Sequence, residues 1–234
     1  MIKKIFKCRF WTLIISKTGI TYLDKLLYNE TKTGTLIEIA GKRGSGKTQI
    51  SFSICAINSI NNKKTLYIDG SGNFRPERIK TMIDNNIENK EKSNLYLKNI
   101  AYQRIYNLNN FTKLIKKIEA IYFDFIILDD IIPMFLYQFK DNTRLEIRKL
   151  IRDLSLITLS KKTIIIFTNI IIEKTNTDKK NHQLRELFFH DIIRYVHYKF
   201  YLNKDVNNEK ITELKLVQPH NKHFPKVFIN LSEL

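Results

Sequence analysis

Short apolar runs alternate with amphipathic segments along most of the chain. Short, mostly apolar runs are typical of parallel strands that are covered on both faces. We predict strands at 36–40, 65–69, 99–105, 125–128 and 163–167, and helices at 47–60, 75–85, 110–121 and 145–159. Beyond residue 190 the pattern becomes rich in strands, at 195–202, 211–217 and 227–229. This order predicts an α/β fold with a mainly parallel sheet, flanking helices and antiparallel C-terminal edge strands.

A glycine-rich turn lies between the first predicted strand and the first predicted helix. Residues 41–48 have the sequence G-K-R-G-S-G-K-T, which matches the phosphate-binding pattern G-x-x-x-x-G-K-T. Glycines allow backbone N–H groups to point at phosphate oxygens, and the helix that starts here adds the positive end of its dipole. We expect Lys47 to bridge the terminal phosphates and the Thr48 hydroxyl to ligate Mg2+. The predicted nucleotide-binding residues of this turn are Gly41, Lys42, Arg43, Gly44, Ser45, Gly46, Lys47 and Thr48.

Asp129 directly follows the apolar run at 125–128. An aspartate after a strand is common, and by itself it indicates no more than the cap of a loop. In P-loop folds, however, a carboxylate at this position lies beside the phosphate loop and holds Mg2+ through water. The two motifs together therefore predict that Asp129 belongs to a metal site.

The sequence contains 40 Lys and Arg residues against 23 Asp and Glu, which gives a formal net charge of +17. Such an excess favours polyanionic partners, with nucleic acid as the first candidate. A bias of the gene toward Lys, Asn and Ile codons explains the same excess, so the charge alone does not decide. No apolar run reaches the roughly 18 residues of a membrane span, and we expect no membrane partner. Residues 1–17 are predicted to form an N-terminal arm on the core, with a targeting signal as the alternative.

Several short sequence motifs lie on either side of the phosphate loop. Gln49 comes next to the loop, 67–78 have the sequence Y-I-D-G-S-G-N-F-R-P-E-R, and 99–104 have N-I-A-Y-Q-R. Residues 216–221 have the sequence L-V-Q-P-H-N, and T-G and L-D-K-L-L occur within 18–27. In this order and spacing they resemble the ATPase core of the RecA/RadA-type DNA recombinases, especially the eukaryotic recombinases and their paralogues. The resemblance implies a RecA-type P-loop NTPase core, which we predict to span 18–234.

The resemblance also implies ligands and partners. These are ATP and Mg2+ as cofactors, single-stranded DNA and other RecA-like recombinase subunits as partners, and a nuclear location. It adds Gln49 to the nucleotide site and places Arg78 against the adenine base. Two DNA-binding loops are implied by position, at 136–144 and 172–189. Their cationic residues are candidate contacts with DNA phosphates, although each one singly is explained as well by a solvated basic surface: Lys140, Arg144, Lys174, Lys179, Lys180 and Arg185.

Three positions depart from the family pattern. The catalytic Glu of the family falls at Ser71, which cannot act as a general base. The Gln that usually follows Thr-Asn falls at Ile170, and the Asp expected before the late Pro falls at Val217. Asp130, beside the predicted magnesium Asp, is the candidate to take over part of the role of the missing Glu. Lys47 and Asp130 are therefore the predicted catalytic residues.

These departures predict a divergent paralogue rather than the main strand-exchange enzyme. We expect it to bind ATP, to hydrolyse it weakly or not at all, and to bind single-stranded DNA or assist a recombinase filament in homologous recombination. The alternative is a non-catalytic interaction subunit of a complex of recombination paralogues, in which ATP is structural. A P-loop kinase for a small substrate is a third hypothesis, which the F-R-P-E-R segment does not support.

Overall fold

The structure is a computed structural model that describes residues 20, 23–24, 34–137, 142–174, 183–205, 207–219, 227–232 and 234. The predicted arm at 1–17 lies outside these residues, so its boundary with a core at 18–234 stays a prediction. No helix in the described part of the chain combines the length and apolar character that a membrane crossing requires.

Nine strands and seven α-helices are present within the described residues. The strands are β1 Thr35–Gly41, β2 Thr65–Asp69, β3 Ile100–Arg104, β4 Phe125–Asp129, β5 Ile164–Lys174, β6 Gln183–Glu186, β7 Tyr198–Lys204, β8 Ile211–Gln218 and β9 Val227–Asn230. The helices are α1 Lys47–Ile60, α2 Pro76–Asn85, α3 Ser93–Leu97, α4 Leu108–Ile118, α5 Met134–Tyr137, α6 Thr143–Lys161 and α7 Phe189–Ile192. A 3-10 turn at Lys90–Lys92 precedes α3.

The strands form one sheet in the order β3-β2-β4-β5-β1-β7-β8-β9, with β6 paired to the far end of β5. The pairs from β3 through to β7 are parallel, whereas β7–β8, β8–β9 and β5–β6 are antiparallel. The predicted α/β class, with a mainly parallel sheet flanked by helices and an antiparallel C-terminal edge, is therefore confirmed.

Each predicted strand and helix overlaps an observed one, and the main difference is the length of β5. The apolar run that predicted this strand ends at Phe167, but β5 continues to Lys174. Thr168 and Asn169 interrupt the apolar pattern without ending the strand, because buried carboxylates accept hydrogen bonds from both side chains. The extension pairs with β6, which the sequence pattern did not predict.

The sheet is buried on both faces, and β4 shows how the sequence achieves this. Phe125 and Ile127 belong to the apolar cluster on one face, whereas Ile126 and Leu128 belong to the cluster on the other. Successive side chains of a strand point to opposite faces, so a strand covered by helices on both sides is apolar throughout. Because β1, β2 and β4 run in the same direction, their carboxyl ends meet at one edge of the sheet, where ligands of open α/β folds usually bind.

Candidate functional site

The phosphate loop connects the end of β1 to the start of α1, as the sequence predicts. Gly44 has φ +75° and Gly46 has φ +96°, which are left-handed values that glycine adopts most readily. A Cβ atom at Gly46 would also lie 2.7 Å from the Leu231 Cδ1 atom. The loop therefore delivers its backbone N–H groups and the N-terminus of α1 to one point, which is a ready site for anions.

Lys47 folds back over this loop. Its ammonium donates hydrogen bonds to the carbonyl oxygens of Gly41 and Lys42, each at 2.9 Å. Burial lowers the pKa of Lys47, and the carboxylates of Asp130 and Asp129 oppose that shift. In the same loop the Ser45 hydroxyl is buried, and none of the described residues offers it a hydrogen-bond partner. A buried cation and a free hydroxyl fit the oxygens of a phosphate chain.

Asp129 lies at the end of β4, beside the first turn of α1. Its Oδ2 atom accepts hydrogen bonds from the Thr48 hydroxyl at 2.8 Å and the Tyr67 hydroxyl at 2.7 Å. Its Oδ1 atom accepts one from the Thr168 hydroxyl at 2.8 Å. Thr48 and Asp129 together present hydroxyl and carboxylate oxygens, the ligand type that Mg2+ prefers, so the pair fits this ion.

A cleft of about 850 Å³ opens above the loop, within the usual range for small-molecule sites. Its described lining is strongly cationic: Arg43, Lys47, Arg75 and Arg78 face it, and Asp130 is the one acidic residue among the described lining residues. Gln49 accepts a hydrogen bond from Arg78 at 2.9 Å, so these two predicted residues lie together at the rim. A polyanion the size of a nucleoside triphosphate matches this cleft in volume and charge.

Asp130 has a strained backbone at the back of the cleft. Its φ of +56° is uncommon for a residue with a side chain and costs about 1–3 kcal/mol. The Asp130 N–H donates to the Thr168 hydroxyl oxygen at 2.8 Å. Burial, and then Asp129, raise the pKa of Asp130, whereas Lys47 and Ser71 lower it. Strained residues of this kind concentrate at functional sites.

A family model described as Rad51 matches residues 9–190 of the chain. The chain belongs to the Rad51 family. The predicted membership of the RecA/RadA-type recombinase superfamily is thereby confirmed, and the superfamily generally binds ATP with Mg2+.

Several Rad51 relatives are DNA repair and recombination proteins. DNA repair protein RAD51 homolog A of Zea mays is 36% identical over 104 residues, which cover 42% of this chain and 30% of the maize protein. DNA repair protein RAD51 homolog 1 of Arabidopsis thaliana is 26% identical over 174 residues, covering 68% of this chain and 50% of its own length. DNA repair and recombination protein RadB of Methanosphaera stadtmanae is 30% identical over 161 residues, covering 67% and 68%. The chain thus spans half or less of the two plant relatives.

The three residues that depart from the family pattern, Ser71, Ile170 and Val217, lie in different surroundings. Ser71 and Ile170 both line the cleft, and the lining also contains the apolar residues Pro133 and Met134. Val217 lies in the antiparallel strand β8 and is not among the described residues that line the cleft. The two positions at which we predict the family's Glu and Gln therefore line this cleft, and they carry a hydroxyl and an apolar side chain.

The candidate DNA contacts of this Rad51-family chain are divided among several elements. Lys140, Lys179 and Lys180 lie outside the described residues, and Lys174 ends β5. Arg185 is exposed on β6, opposite Ile172 of β5.

Arg144 differs from the other candidates, because it is already engaged at the start of α6. Its Nε donates to buried Asp191 at 2.9 Å, and Arg148 donates to the same carboxylate at 2.5 Å. This attachment of α6 to α7 was not predicted from the sequence.

Asp69, at the end of β2, is a second residue whose role the sequence did not reveal. Its carboxylate accepts hydrogen bonds from the backbone N–H groups of Ser71 at 2.8 Å, Gly72 at 2.7 Å and Phe74 at 3.2 Å. Arg104 of β3 forms an ion pair with it at 2.9 Å. Asp69 thus shapes the turn that carries Ser71 into the cleft. Its position directly after an apolar run, like that of Asp129, was the available signal.

A buried ionic cluster joins the phosphate-loop strand to the β5–β6 hairpin. Lys199 of β7 is fully buried and donates hydrogen bonds to Glu38 of β1 at 2.5 Å and to Glu186 of β6. The Asn169 amide donates to Glu38 at 2.7 Å and to Glu186 at 3.1 Å, and the Tyr201 hydroxyl donates to Glu186 at 2.9 Å. Burial, and then Glu186, raise the pKa of Glu38 to about 8 despite the opposing effect of Lys199.

Proposed function

We propose that this chain binds ATP with Mg2+ in the cleft and acts in DNA repair by homologous recombination. It is a divergent Rad51 paralogue that binds single-stranded DNA or assists a recombinase filament, in the nucleus. The observation that carries the proposal is the meeting of Lys47, Thr48 and Asp129 at the carboxyl edge of a RecA-type sheet. The recombination role is supported by the family match and by the names of the relatives.

The residues of the cleft divide the binding among them. The backbone N–H groups of the phosphate loop and the Lys47 ammonium hold the phosphates, and the Thr48 hydroxyl with Asp129 holds Mg2+. When bound there, Mg2+ would supply positive charge that offsets the negative charge of the terminal phosphates. Gln49 and Arg78 close the rim, where the base lies. Ser71 and Ile170 take the positions of two groups that promote hydrolysis in the family, so turnover is slow or absent.

Nucleotide binding is tested by Lys47→Ala in a titration with labelled ATP and Mg2+. The variant is expected to lose measurable binding, because it removes the buried cation of the loop. Lys113→Ala is the matched control, since Lys113 is exposed on α4 and is not among the described residues that line the cleft. Equal affinity of Lys47→Ala and the unmodified chain would refute the assignment of the phosphate site.

DNA binding is tested by the salt dependence of affinity for a single-stranded oligonucleotide. Displaced counterions make affinity fall steeply with salt, and each lost phosphate contact reduces the logarithmic slope by about 0.7. Arg185→Ala should show this reduction, whereas Arg152→Ala should not, because Arg152 is exposed on α6 and paired with Asp153 at 3.1 Å.

A non-catalytic interaction subunit is the second candidate function, since Arg144 is already paired with buried Asp191 and is not a free cation. An absence of DNA binding, together with co-purification of another RecA-like subunit, would select it.

A further inference from the structure

Two arginines one turn apart near the start of α6 share a single buried carboxylate. The Arg144 Nε atom donates to the Asp191 Oδ2 atom at 2.9 Å, and the Arg148 Nε atom donates to the Asp191 Oδ1 atom at 2.5 Å. The Asp191 side chain is fully removed from solvent, whereas 55% of the Arg144 side chain and 42% of the Arg148 side chain are exposed. Each carboxylate oxygen therefore holds one arginine, and both arginines reach the surface.

Each arginine uses only part of its hydrogen-bonding capacity in this arrangement. A guanidinium group carries several N–H donors in one plane, and Nε supplies only one of them. In the described part of the chain, no protein group accepts a hydrogen bond from the terminal nitrogens of Arg144 or Arg148. The outer donors of both side chains are thus left for a ligand, while the bonds to Asp191 fix the direction of the two groups.

The charges of the three side chains leave a positive remainder. Burial raises the pKa of Asp191, but the hydrogen bonds from Arg148 and Arg144 outweigh that effect and lower the pKa. Asp191 is therefore ionised at neutral pH, and arginine is always protonated in proteins. Two positive charges stand against one negative charge, so the cluster keeps one positive charge, which suffices for one phosphate of a polyanion.

The cluster lies where the two segments with predicted DNA contacts return to the core. Arg144 ends the predicted loop at 136–144, and Asp191 lies two residues after the predicted loop at 172–189. Arg148 and Asp191 are outside both loops and were not candidates for DNA contacts. Because the ion pairs join the start of α6 to α7, they connect the chain that follows one loop to the chain that follows the other.

We propose that Arg144 and Arg148, oriented by Asp191, form a binding site for one phosphate group of single-stranded DNA. Two neighbouring guanidinium groups offer several N–H donors to the oxygens of a phosphodiester, and such charge-assisted hydrogen bonds are stronger than neutral ones. Asp191 is a positioning residue, because its buried side chain acts only through the two arginines. By fixing them before DNA arrives, it reduces the side-chain entropy that is lost on binding. The inference rests on the proposed binding of single-stranded DNA.

The test measures the affinity of the full chain for a labelled deoxythymidine oligonucleotide by fluorescence anisotropy at several salt concentrations, with ATP and Mg2+ present. Arg148→Ala leaves Arg144 and Asp191 without net charge, so the phosphate contact should be lost. The logarithmic slope against salt should fall by about 0.7, the value for one phosphate of a single strand. Affinity at fixed salt should fall by about tenfold or more, because hydrogen bonds to charged groups are the stronger ones. Arg152→Ala, one turn further along α6 at a residue paired with Asp153, is the matched control.

Two further variants test the shared phosphate and the role of Asp191. Arg144→Ala/Arg148→Ala/Asp191→Asn removes all three charges, and its slope should fall by the same amount of about 0.7; a fall of about 1.4 would show separate phosphates and overturn the shared site. Asp191→Asn keeps both arginines and adds one net positive charge, which by itself favours DNA. Loss of orientation should nevertheless lower the affinity several-fold without lowering the slope, and unchanged or higher affinity would overturn the positioning role.

The outcomes separate this inference from the proposed function. Equal slope and affinity of Arg148→Ala and the unmodified chain would overturn the inference and leave the proposed function standing. No binding of the oligonucleotide by the unmodified chain would refute both the inference and the proposed DNA binding. Should Arg148→Ala fail to fold by its melting curve, Arg144→Ala replaces it with the same expected result, since it likewise leaves one arginine on Asp191.

Discussion

Replacing Lys199 by methionine tests whether the buried ionic cluster stabilises this fold. The Lys199 ammonium is the cation between Glu38 and Glu186, and all three side chains are almost fully removed from solvent. Methionine has a similar length and no charge, so it fills most of the space and leaves only a small cavity. The variant therefore isolates the loss of the positive charge from the loss of packing.

The expected cost follows from burial of the acidic groups: Glu38 keeps a proton at pH 7, and Glu186 is the carboxylate that loses its cation. Removal of one partner of a buried ion pair leaves an uncompensated charge and costs about 3–5 kcal/mol. Asn169 remains a donor to both carboxylates, but a neutral amide does not replace the ammonium. Since whole domains are stable by only about 5–15 kcal/mol, the variant should be close to unfolding. With a urea slope near 2 kcal/mol/M, the midpoint should fall by about 2 M.

The assay is urea unfolding at pH 7, monitored by far-UV circular dichroism. Lys204→Met is the matched control on the same strand, because Lys204 pairs at 3.3 Å with Glu209, whose side chain is 88% exposed. An exposed pair of this kind contributes below about 1 kcal/mol. The triple variant Glu38→Gln/Lys199→Met/Glu186→Gln should regain part of the loss, since it removes the unpaired charge of Glu186. A loss of less than about 1 kcal/mol in Lys199→Met would refute the reasoning.

Two further predictions concern single groups. The pKa of Glu38 is raised from 4.5 to about 8, so between these pH values the folded chain holds a proton there that the unfolded chain releases. The free energy of unfolding should therefore fall as the pH rises from 4.5 to about 8. Glu38→Gln should flatten that fall in urea unfolding between pH 5 and 8, and an unchanged slope would contradict the assignment. Tyr67→Phe removes the 2.7 Å hydrogen bond to Asp129 and should cost about 1–3 kcal/mol in the same assay. Tyr106→Phe, at a residue 75% exposed, is its control and should change nothing.

The sequence predicts the fold well because the sheet is buried on both faces. Strands such as β1 and β4 are short and mostly apolar, the pattern expected of strands that are covered on both faces. The phosphate loop is equally visible, since its glycines and Lys47 are adjacent in the chain. Asp129 becomes interpretable once the loop is recognised, because strands that end at the same edge of a sheet bring their next residues together.

The buried polar contacts escaped the same reasoning because their partners are distant in sequence. Glu38 and Lys199 are 161 positions apart, and each looks like an exception within an apolar strand. The ion pair of Arg144 was missed for the same reason, since a basic residue in a predicted DNA loop gives no sign that Asp191 already binds it. Local patterns specify which residues are buried, whereas the pairing of buried charges depends on the order and register of the strands.

The absence of the family's Gln at Ile170 differs from the absence of its Glu at Ser71, and this difference predicts how the chain responds to nucleotide. Ser71 lines the same cleft as Asp130, so the cleft still contains a carboxylate, the type of group that is missing at position 71. Of the described residues of β5 and β6, Ile170 is the one that lines the cleft, and the lining also contains the apolar residues Pro133 and Met134. The terminal phosphate therefore meets no hydrogen-bonding side chain from the described part of the hairpin.

A ligand shifts a conformational equilibrium only through interactions that differ between the two states. ATP and ADP differ by the terminal phosphate, and the described residues of the hairpin contribute no polar side chain to the lining of the cleft in which we propose that it binds. The affinity for single-stranded DNA should therefore differ by less than about threefold between the two nucleotides in fluorescence anisotropy. Ile170→Gln restores an amide at the cleft and should widen that difference, with Ile172→Gln on the exposed part of β5 as the control. A difference of tenfold or more in the unmodified chain would show that the hairpin senses the terminal phosphate by another route.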